Sequence, residues 1–253
     1  MVKKRIIGVI TVKDRLAVQS FGYKRYLPLG NPSCIAENLD RWGVDEILVQ
    51  TIDRSENNLG PDFELLSNLG KSRLSVPIIY GGGVANKHDA IKVIHSCADR
   101  ITLDSVLHQQ PNVTKDIADT LGSQAVIAAL PVSRKSSGTV WYHYGDKKDM
   151  LFSDELNKLF ADGVISEALI VDWVNEGFTN KFNHKILDDI PFSVPCILFG
   201  GISEEDQIKN LLSCEKISAV AIGNFLNYRE HSVQKIKQSI DGSYLRPAQF
   251  LST

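Results

Sequence analysis

The sequence predicts an α/β protein built as one (β/α)8 TIM barrel, and three observations support this fold class. First, 253 residues is an ordinary length for one such barrel. Second, short apolar runs alternate with longer amphipathic segments, as in a parallel sheet covered by helices. Third, segments of the first half recur in the second half. We therefore expect a single domain over residues 1–253, with a two-fold repeat of half-barrels covering about 1–121 and 122–253.

The candidate strands are eight apolar runs, most of which are apolar at successive positions, as is typical of strands buried on both faces. They cover residues 6–12, 46–52, 76–81, 100–104, 124–130, 167–173, 194–200 and 219–223. The first run follows a basic start, but it is short, contains Thr11 and ends in Lys13 and Asp14. It therefore predicts a buried strand and not a signal peptide.

Amphipathic segments between these runs are the candidate helices. Asn31 and Pro32 are typical of a helix start, with Asn as the N-cap and Pro at the first helical position. Ser203 and Asp206 resemble a capping box. The connection from residue 175 to 190 has the weakest helical pattern. The predicted helices follow Asn31 as far as Gly43 and then cover residues 61–70, 88–96, 112–122, 153–163, 203–213 and 231–240.

The internal repeat distinguishes a barrel from a doubly wound open sheet. Three segment pairs are separated by 118, 121 and 119 residues, close to half of the chain. They are VPIIYGGGV (76–84) with VPCILFGGI (194–202), DEILVQTID (45–53) with SEALIVDWV (166–174), and RITLDSVL (100–107) with AVAIGNFL (219–226). A unit of four βα pairs made twice explains this duplication, whereas an open sheet does not.

Residues 132–152 interrupt the alternation of strands and helices. TVWYHY alternates like a hairpin strand, and GDKKD has the composition of a turn. A loop of this length in a compact domain is usually functional, so we expect it on the active face after the fifth strand. His143 lies there among Trp141, Tyr142 and Tyr144, which form either an aromatic lid over a substrate or a packed hairpin.

Composition and charge exclude several classes of protein. The 28 Lys and Arg residues nearly balance the 30 Asp and Glu residues, so no basic field for nucleic acid is expected. No apolar run is long enough to span a membrane. The four cysteines have neither close pairing nor zinc-finger spacing, which favours reduced, mostly buried thiols in a cytoplasmic protein. The histidines also lack metal-ligand spacing, so we predict no metal and no cofactor.

Glycines follow four of the predicted strands and indicate two phosphate sites. A glycine at the end of a strand lets backbone N–H groups approach an anion, and a helix N-terminus adds a favourable dipole. The alternative is that these glycines serve only tight turns. The predicted residues are Gly82, Gly83 and Ser105 on one side of the barrel mouth, with Gly177, Gly200, Gly201, Gly223 and Asn224 on the other.

The two-phosphate half-barrel repeat resembles the histidine-biosynthesis barrels, and the details resemble HisF, the cyclase subunit of imidazole glycerol phosphate synthase. KRIIGVITVKD, GVDEILV, VPIIYGGGV, CADRITLDS, LGSQAVIAA and AVAIGNFLNYRE follow in family order, so the resemblance covers essentially the whole chain. It implies a barrel that acts on a phosphorylated substrate and receives ammonia at its lower end from a HisH-like glutaminase.

The resemblance also implies a charged entrance for ammonia, made of one Arg, two Glu and one Lys. The matching positions are Arg5, Glu46, Arg100 and Glu167, with Arg in place of Lys. Each lies near the start of a predicted strand, so the four side chains are expected to meet in one layer. A purely structural salt-bridge ring is the alternative, because such charges are costly to bury unless they are paired.

The family's two catalytic aspartates, which act as acid and base, are absent here. The matching positions hold Thr11 and Pro131, neither of which can transfer a proton in the useful pH range. Asp53 and Asp172 follow related strands and are the candidate replacements; solvated rim carboxylates are the alternative. Glu176 with Gly177 stands where the family has an Asp-Gly pair, and Glu176 is the third catalytic candidate.

These departures favour a HisF-like branch that acts with a HisH-like glutaminase and a sugar amidotransferase to make acetamidino sugars for surface polysaccharides. The segment YKRYLPLGNP (23–32) resembles that branch, and Lys24 and Arg25 within it either hold a nucleotide-sugar pyrophosphate or are solvated. Two alternatives stay open: a histidine-pathway cyclase with altered acid and base, and a non-catalytic conduit for ammonia.

Overall fold

The computed structural model describes residues 3–228, 231–240 and 245–247. Its strands are β1 (Arg5–Lys13), β2 (Leu16–Phe21), β3 (Arg25–Gly30), β4 (Glu46–Thr51), β5 (Ile78–Gly81), β6 (Arg100–Leu103), β7 (Val126–Lys135), β8 (Gly138–His143), β9 (Lys148–Met150), β10 (Glu167–Asp172), β11 (Cys196–Phe199) and β12 (Ile217–Ile222). The helices are α1 (Pro32–Arg41), α2 (Phe63–Lys71), α3 (Lys87–Ser96), α4 (Ser105–Gln109), α5 (Pro111–Leu121), α6 (Asp154–Ala161), α7 (Glu205–Leu212) and α8 (Ser232–Ser239).

Eight of these strands form a closed parallel barrel. Their order around the barrel is β1, β4, β5, β6, β7, β10, β11 and β12, and β12 pairs again with β1. The prediction of a (β/α)8 barrel is therefore confirmed. The repeated segments occupy β4, β5 and β6 in one half and β10, β11 and β12 in the other, four positions apart around the barrel.

Side chains alternate between the barrel interior and the helix layer, which explains why the strands are apolar at successive positions. On β1, Ile7 and Val9 pack inside the barrel, whereas Ile6 and Ile10 pack outward against the helices. The interior cluster consists of Ile7, Val9, Leu48, Ile79, Ile127, Ala129, Leu169, Val171, Ile197, Phe199, Ala219 and Ala221.

Two β-hairpins extend the barrel at the carboxyl ends of its strands. The first, β2–β3, pairs with the end of β1, although the sequence predicted only a loop there. The second, β8–β9, pairs with β7, which continues to Lys135. This confirms the predicted hairpin strand TVWYHY and its following turn.

Two local predictions need correction. The weak helix predicted after β10 is a 3-10 helix (His184–Asp189). Ser203 is not the cap of α7: the N-cap is Glu204, without a side-chain hydrogen bond, and Ser203 Oγ instead accepts from the Asn180 N–H at 2.9 Å. By contrast, Asn31 caps α1 as predicted, because its side chain accepts from the Ser33 N–H.

The cysteines are free, but the prediction that most are buried is wrong: Cys196 is buried, Cys97 is half-buried, and Cys34 and Cys214 are exposed. Among the described residues, no helix combines the length and hydropathy required to cross a membrane.

Candidate active site

A cavity of about 390 Å³ opens at the carboxyl ends of the barrel strands, between the two hairpins. This is the end of the barrel where enzymes of this fold hold their active sites. Barrel residues at its base include Gln50, Thr102, Ala129 and Val171, and the hairpins contribute aromatic and cationic side chains above them. The cavity can therefore enclose a small molecule between a base that is partly polar and partly apolar and a rim of aromatic and cationic side chains.

The second hairpin is packed on one face and lines the cavity with aromatic rings on the other; a role as a lid over a substrate stays a prediction. Tyr142 and Tyr144 line the cavity, and the Tyr142 ring lies 4.6 Å from that of Trp173. Trp141 and His143 alternate with them along β8 and are buried beneath the hairpin. The side chains on one face of β8 are thus packed beneath the hairpin, and the aromatic side chains on the other face line the cavity.

The first hairpin closes the cavity from the opposite side. Tyr23 lies at its turn and donates a hydrogen bond from its hydroxyl to Gln50 Oε1 at 3.1 Å. Lys24 lines the cavity, with its Nζ 5.8 Å from the Trp173 ring. Arg25 instead stacks on Phe21, so only one member of the predicted basic pair faces the cavity.

Glu176 holds the first hairpin in place. Its Oε2 accepts from Ser20 Oγ at 2.8 Å and from the Tyr23 N–H at 3.4 Å, and its carbonyl accepts from the Gly22 N–H at 2.8 Å. Asn224 Nδ2 also donates to the Ser20 carbonyl at 2.7 Å. Burial raises the pKa of Glu176, and these hydrogen bonds oppose the rise. The contacts give Glu176 a positioning role in the loop structure.

The predicted phosphate-site residues fall into two separate pockets. Gly82, Gly83 and Ser105 line the large cavity. The second set lines a smaller pocket next to it: Gly177, Gly200, Gly201, Gly223 and Asn224. Close packing also requires several of these glycines, because a Cβ at Gly82 would lie 2.1 Å from Thr51 Oγ1. Phosphate binding at the two pockets stays a prediction.

The predicted replacement acid and base do not converge on the cavity. Asp172 is buried and accepts from Asn175 Nδ2 at 2.8 Å and from the Asn183 N–H at 2.9 Å, so it organises the loop after β10. Burial raises the pKa of this carboxyl. Asp53 Oδ2 accepts from the Asp14 N–H at 2.9 Å. Neither lines the cavity. The geometry therefore gives their predicted catalytic role no support.

Asp104 is the carboxylate that sequence reasoning did not select. It directly follows β6 and lines the cavity near Pro131, whereas Thr11 is buried on β1. Burial raises the pKa of Asp104 to about 7, partly offset by the Trp141 indole. The position of Asp104 at the end of a predicted strand was visible in the sequence. An Asp just before a helix is also a common N-cap, so the position alone did not indicate a site residue.

At the opposite end of the barrel, the structure brings together the four predicted entrance residues. Arg5 Nη1 lies 2.8 Å from Glu46 Oε1, and Arg100 Nη1 lies 2.7 Å from Glu167 Oε2. Arg5 also pairs with Glu167. Burial alone would lower the pKa of Arg5, but the two carboxylates hold it above its usual value. We call these four side chains the floor network.

Ser218 is a fifth member of the floor that the sequence did not indicate. Its hydroxyl hydrogen-bonds to Glu167, and it lies 3.2 Å from Arg5 Nη2. The floor network lines an open depression on the outer surface of this end. The charged side chains of the floor network therefore lie between that surface and the apolar interior of the barrel.

His108 lies close to His143 and Asp146, which are three residues apart in the second hairpin. Their potential ligand atoms are within 4.8 Å of one another. However, the Asp146 N–H donates to His143 Nδ1 at 3.2 Å, and Lys148 pairs with Asp146 at 3.0 Å. His143 and Asp146 are therefore already engaged in contacts within the second hairpin.

Comparison with known proteins agrees with this architecture. The model of the family described as "Histidine biosynthesis protein" matches residues 5–232. A Vibrio vulnificus protein provisionally named imidazole glycerol phosphate synthase subunit hisF2 is 28% identical over 249 residues, covering 97% of this chain and 91% of that protein. Imidazole glycerol phosphate synthase subunit HisF of an Exiguobacterium species is 26% identical over 257 residues, covering 100% and 99%. The HisF subunit of Staphylococcus carnosus is 25% identical over 243 residues, covering 94% and 95%. With a barrel of this topology and a match over most of its length, the chain belongs to the histidine biosynthesis protein family and is HisF-like.

Proposed function

We propose that this chain is the ammonia-accepting synthase subunit of a glutamine amidotransferase of the HisF type. The observation that carries the proposal is the placement of two sites at opposite ends of one barrel. The floor network lies at the amino ends of the strands, and the cavity lies at their carboxyl ends. Such an arrangement suits a reactant that enters at one end and reacts at the other.

The barrel interior between the two sites suits neutral ammonia. A cluster of apolar side chains fills the interior between the two ends, and Ala129, Ala219 and Ala221 contribute its smallest side chains. An ammonium ion would lose its hydration there without gaining a partner, whereas neutral ammonia has a far smaller desolvation cost. Passage would therefore favour the reactive, unprotonated form.

The partner in this proposal is a HisH-like glutaminase that docks on the surface around the floor network. Arg5 and Arg100 line that surface together with Glu46 and Glu167. A glutaminase active site placed against the depression would release ammonia next to the barrel interior. The chain would then act in the cytoplasm on a phosphorylated substrate held at the glycine pockets.

The relatives are named as imidazole glycerol phosphate synthase subunits, so the first candidate reaction is the histidine-pathway cyclisation. The test is growth without histidine of a strain that lacks HisF and carries this chain together with its glutaminase. Growth would support the histidine reaction, and absence of growth from a folded, expressed protein would contradict it. The Thr11→Asp, Pro131→Asp double variant is the informative comparison, since it restores both carboxylates.

A second candidate is favoured by Thr11 and Pro131, which leave the family's two acid and base positions without carboxylates. The chain would then supply ammonia for an acetamidino sugar, together with a separate sugar amidotransferase, and would take a nucleotide-sugar substrate. The tyrosines and Lys24 around the cavity suit a larger, flat substrate group. Amidination by the three proteins together, without growth complementation, would support this reaction. If an added ammonium salt replaced this chain fully, the chain would be a conduit only.

A further inference from the structure

Asp104 lines the cavity, and its carboxylate does not cap the helix that follows it. Asp104 occupies the N-cap position of α4 but makes no side-chain capping hydrogen bond. Its Oδ1 is buried and has no hydrogen-bond partner among the described residues. An Asp in this position usually accepts from the first turn of its helix. A buried polar atom without a partner requires an explanation, and a reacting group is one.

The position of Asp104 in the barrel suits the missing chemistry. Asp104 follows β6, and the neighbouring strand β7 carries Pro131, where the family resemblance places a catalytic carboxylate. The described carboxyl groups that line the cavity are Asp104 and Glu56, and Glu56 is exposed and paired with Lys147 at 3.8 Å. We propose that Asp104 is the general acid and base of the cavity, an inference that rests on the proposed function.

The surroundings allow Asp104 to exist in both protonation states. The ionisable groups that share the cavity are Lys24, Lys147 and Glu56 on its rim, with Tyr23, Tyr26, Tyr142 and Tyr144 from the hairpins. The indole of Trp141 interacts with the Asp104 carboxyl and lowers its pKa as a donor, although neither Trp141 Nε1 nor Asp104 Oδ1 makes a hydrogen bond of normal geometry among the described residues. Burial raises the pKa of the carboxyl to about 7, close to the pH at which an acid and base works best.

The proposed step is the addition of ammonia to a carbonyl carbon of the bound substrate. A C–N bond forms, and the π electron pair of the C=O bond moves to its oxygen. The carboxylate of Asp104 takes one proton from the new ammonium nitrogen and returns it to that oxygen. The product of this step is a carbinolamine, Asp104 is again ionised, and no oxidant or further reactant is required.

Two measurements on the purified protein test the inference. The first is a 13C NMR titration of labelled aspartate carboxyls, with Asp104→Asn to assign the resonance. The second is turnover of the histidine-pathway substrate with ammonium chloride as the nitrogen source, over a range of pH. Asp119→Asn, an exposed position on α5, is the matched control, and Asp104→Glu tests whether a carboxyl alone restores the activity.

The inference predicts that the Asp104 carboxyl titrates near neutral pH. It also predicts that Asp104→Asn lowers kcat about 100-fold or more with KM little changed, and that Asp104→Glu recovers part of the loss. Titration below pH 5, or wild-type turnover by Asp104→Asn, would overturn it. If the wild-type protein does not turn over this substrate, the histidine reaction fails, and titration of Asp104 below pH 5 would still overturn the inference.

Discussion

Arg5 on β1 and Glu46 on β4 form an ion pair of 2.8 Å across the floor of the barrel. The second carboxylate oxygen of Glu46 is buried and accepts no hydrogen bond from the described residues. Arg5 also contacts Glu167, which in turn pairs with Arg100. The floor network is thus a chain of alternating charges in which Arg5 and Glu167 each serve two partners, and Glu46 lies at one end.

Glu167→Gln should destabilise the protein more than Glu46→Gln does. Glu167 neutralises two guanidinium groups at a nearly buried position, whereas Glu46 contacts Arg5 alone. Removing one partner from a buried ion pair costs about 3–5 kcal/mol. Urea denaturation of both variants, with the exposed Glu37→Gln as the control, measures the difference. Equal stability of Glu167→Gln and Glu37→Gln would show that the floor charges are effectively solvated.

Asp104→Asn should make the protein more stable, and the gain should grow as the pH rises. The folded-state pKa of Asp104 is raised to about 7 by burial, whereas an unfolded Asp has a pKa of about 3.9. Between these values the folded state binds more protons, so wild-type stability decreases as the pH increases. The loss of stability is about 1.4 kcal/mol for each pH unit that separates the two pKa values. This loss of wild-type stability is complete above about pH 7 and absent below about pH 4.

Thermal unfolding at pH 5 and pH 8 checks this expectation. The melting temperature of Asp104→Asn should exceed that of the wild type by a larger margin at pH 8 than at pH 5. Asp119→Asn should track the wild type at both values. A margin independent of pH would mean that the carboxyl of Asp104 is already ionised at pH 5.

Glu176→Ala should release the first hairpin. Glu176 accepts from Ser20 and Tyr23, and the exposed trypsin sites Lys24 and Arg25 directly follow Tyr23 in the hairpin. Losing a buried acceptor leaves two donors unpaired, at about 1–3 kcal/mol each. We expect trypsin to cut this hairpin roughly tenfold faster. Glu176→Gln keeps an acceptor and should resist cleavage; indistinguishable rates in all three proteins would show that other contacts hold the hairpin.

Gly223→Ala should weaken phosphate binding and destabilise the fold less than Gly201→Ala does. Gly223 has a negative φ, and a Cβ there meets first the Phe199 ring, at 3.5 Å. At Gly201, a Cβ would lie 2.7 Å from Phe182 N and the φ is +72°, so Gly201→Ala should unfold at a lower temperature. Calorimetry with inorganic phosphate should show roughly tenfold weaker binding at one site of Gly223→Ala, or about 1.4 kcal/mol. If Gly223→Ala bound phosphate with wild-type affinity, Gly223 would not be part of the phosphate site.

The barrel was predictable because its strands are defined by local apolar runs and its symmetry by repeated segments. The first hairpin was not, because β3 is largely exposed and contains Pro28, so it has little of the apolar pattern that marks a strand. Its pairing depends on the extension of β1 beyond the barrel. The connection from β10 to β11 lacks an α-helix because Asp172 and Gly201 hold its backbone by hydrogen bonds.

The site was predictable to a smaller extent. Glycines at strand ends were visible in sequence, and they do line two pockets. The partners of a carboxylate could not be predicted from the sequence. Asp172 accepts hydrogen bonds from the loop after its own strand, whereas Asp104 does not cap the helix that follows it. The periodicity of a strand assigns a side chain to one face, but the hydrogen bonds of a loop become visible only in the fold.

If ammonia crosses the floor network to reach the cavity, Arg5→Ala should disrupt that passage in the reconstituted complex with the glutaminase. The measurement compares glutamine-dependent with ammonium-dependent turnover, with the exposed Arg41→Ala as the control. Without Arg5, Glu46 loses its ion-pair partner and Glu167 keeps only Arg100, so the floor must rearrange. We expect a large loss of glutamine-dependent turnover and a much smaller loss with ammonium salts, because ammonia from these salts can enter through the open mouth of the barrel. Equal losses with both nitrogen sources would contradict it and make the floor network purely structural.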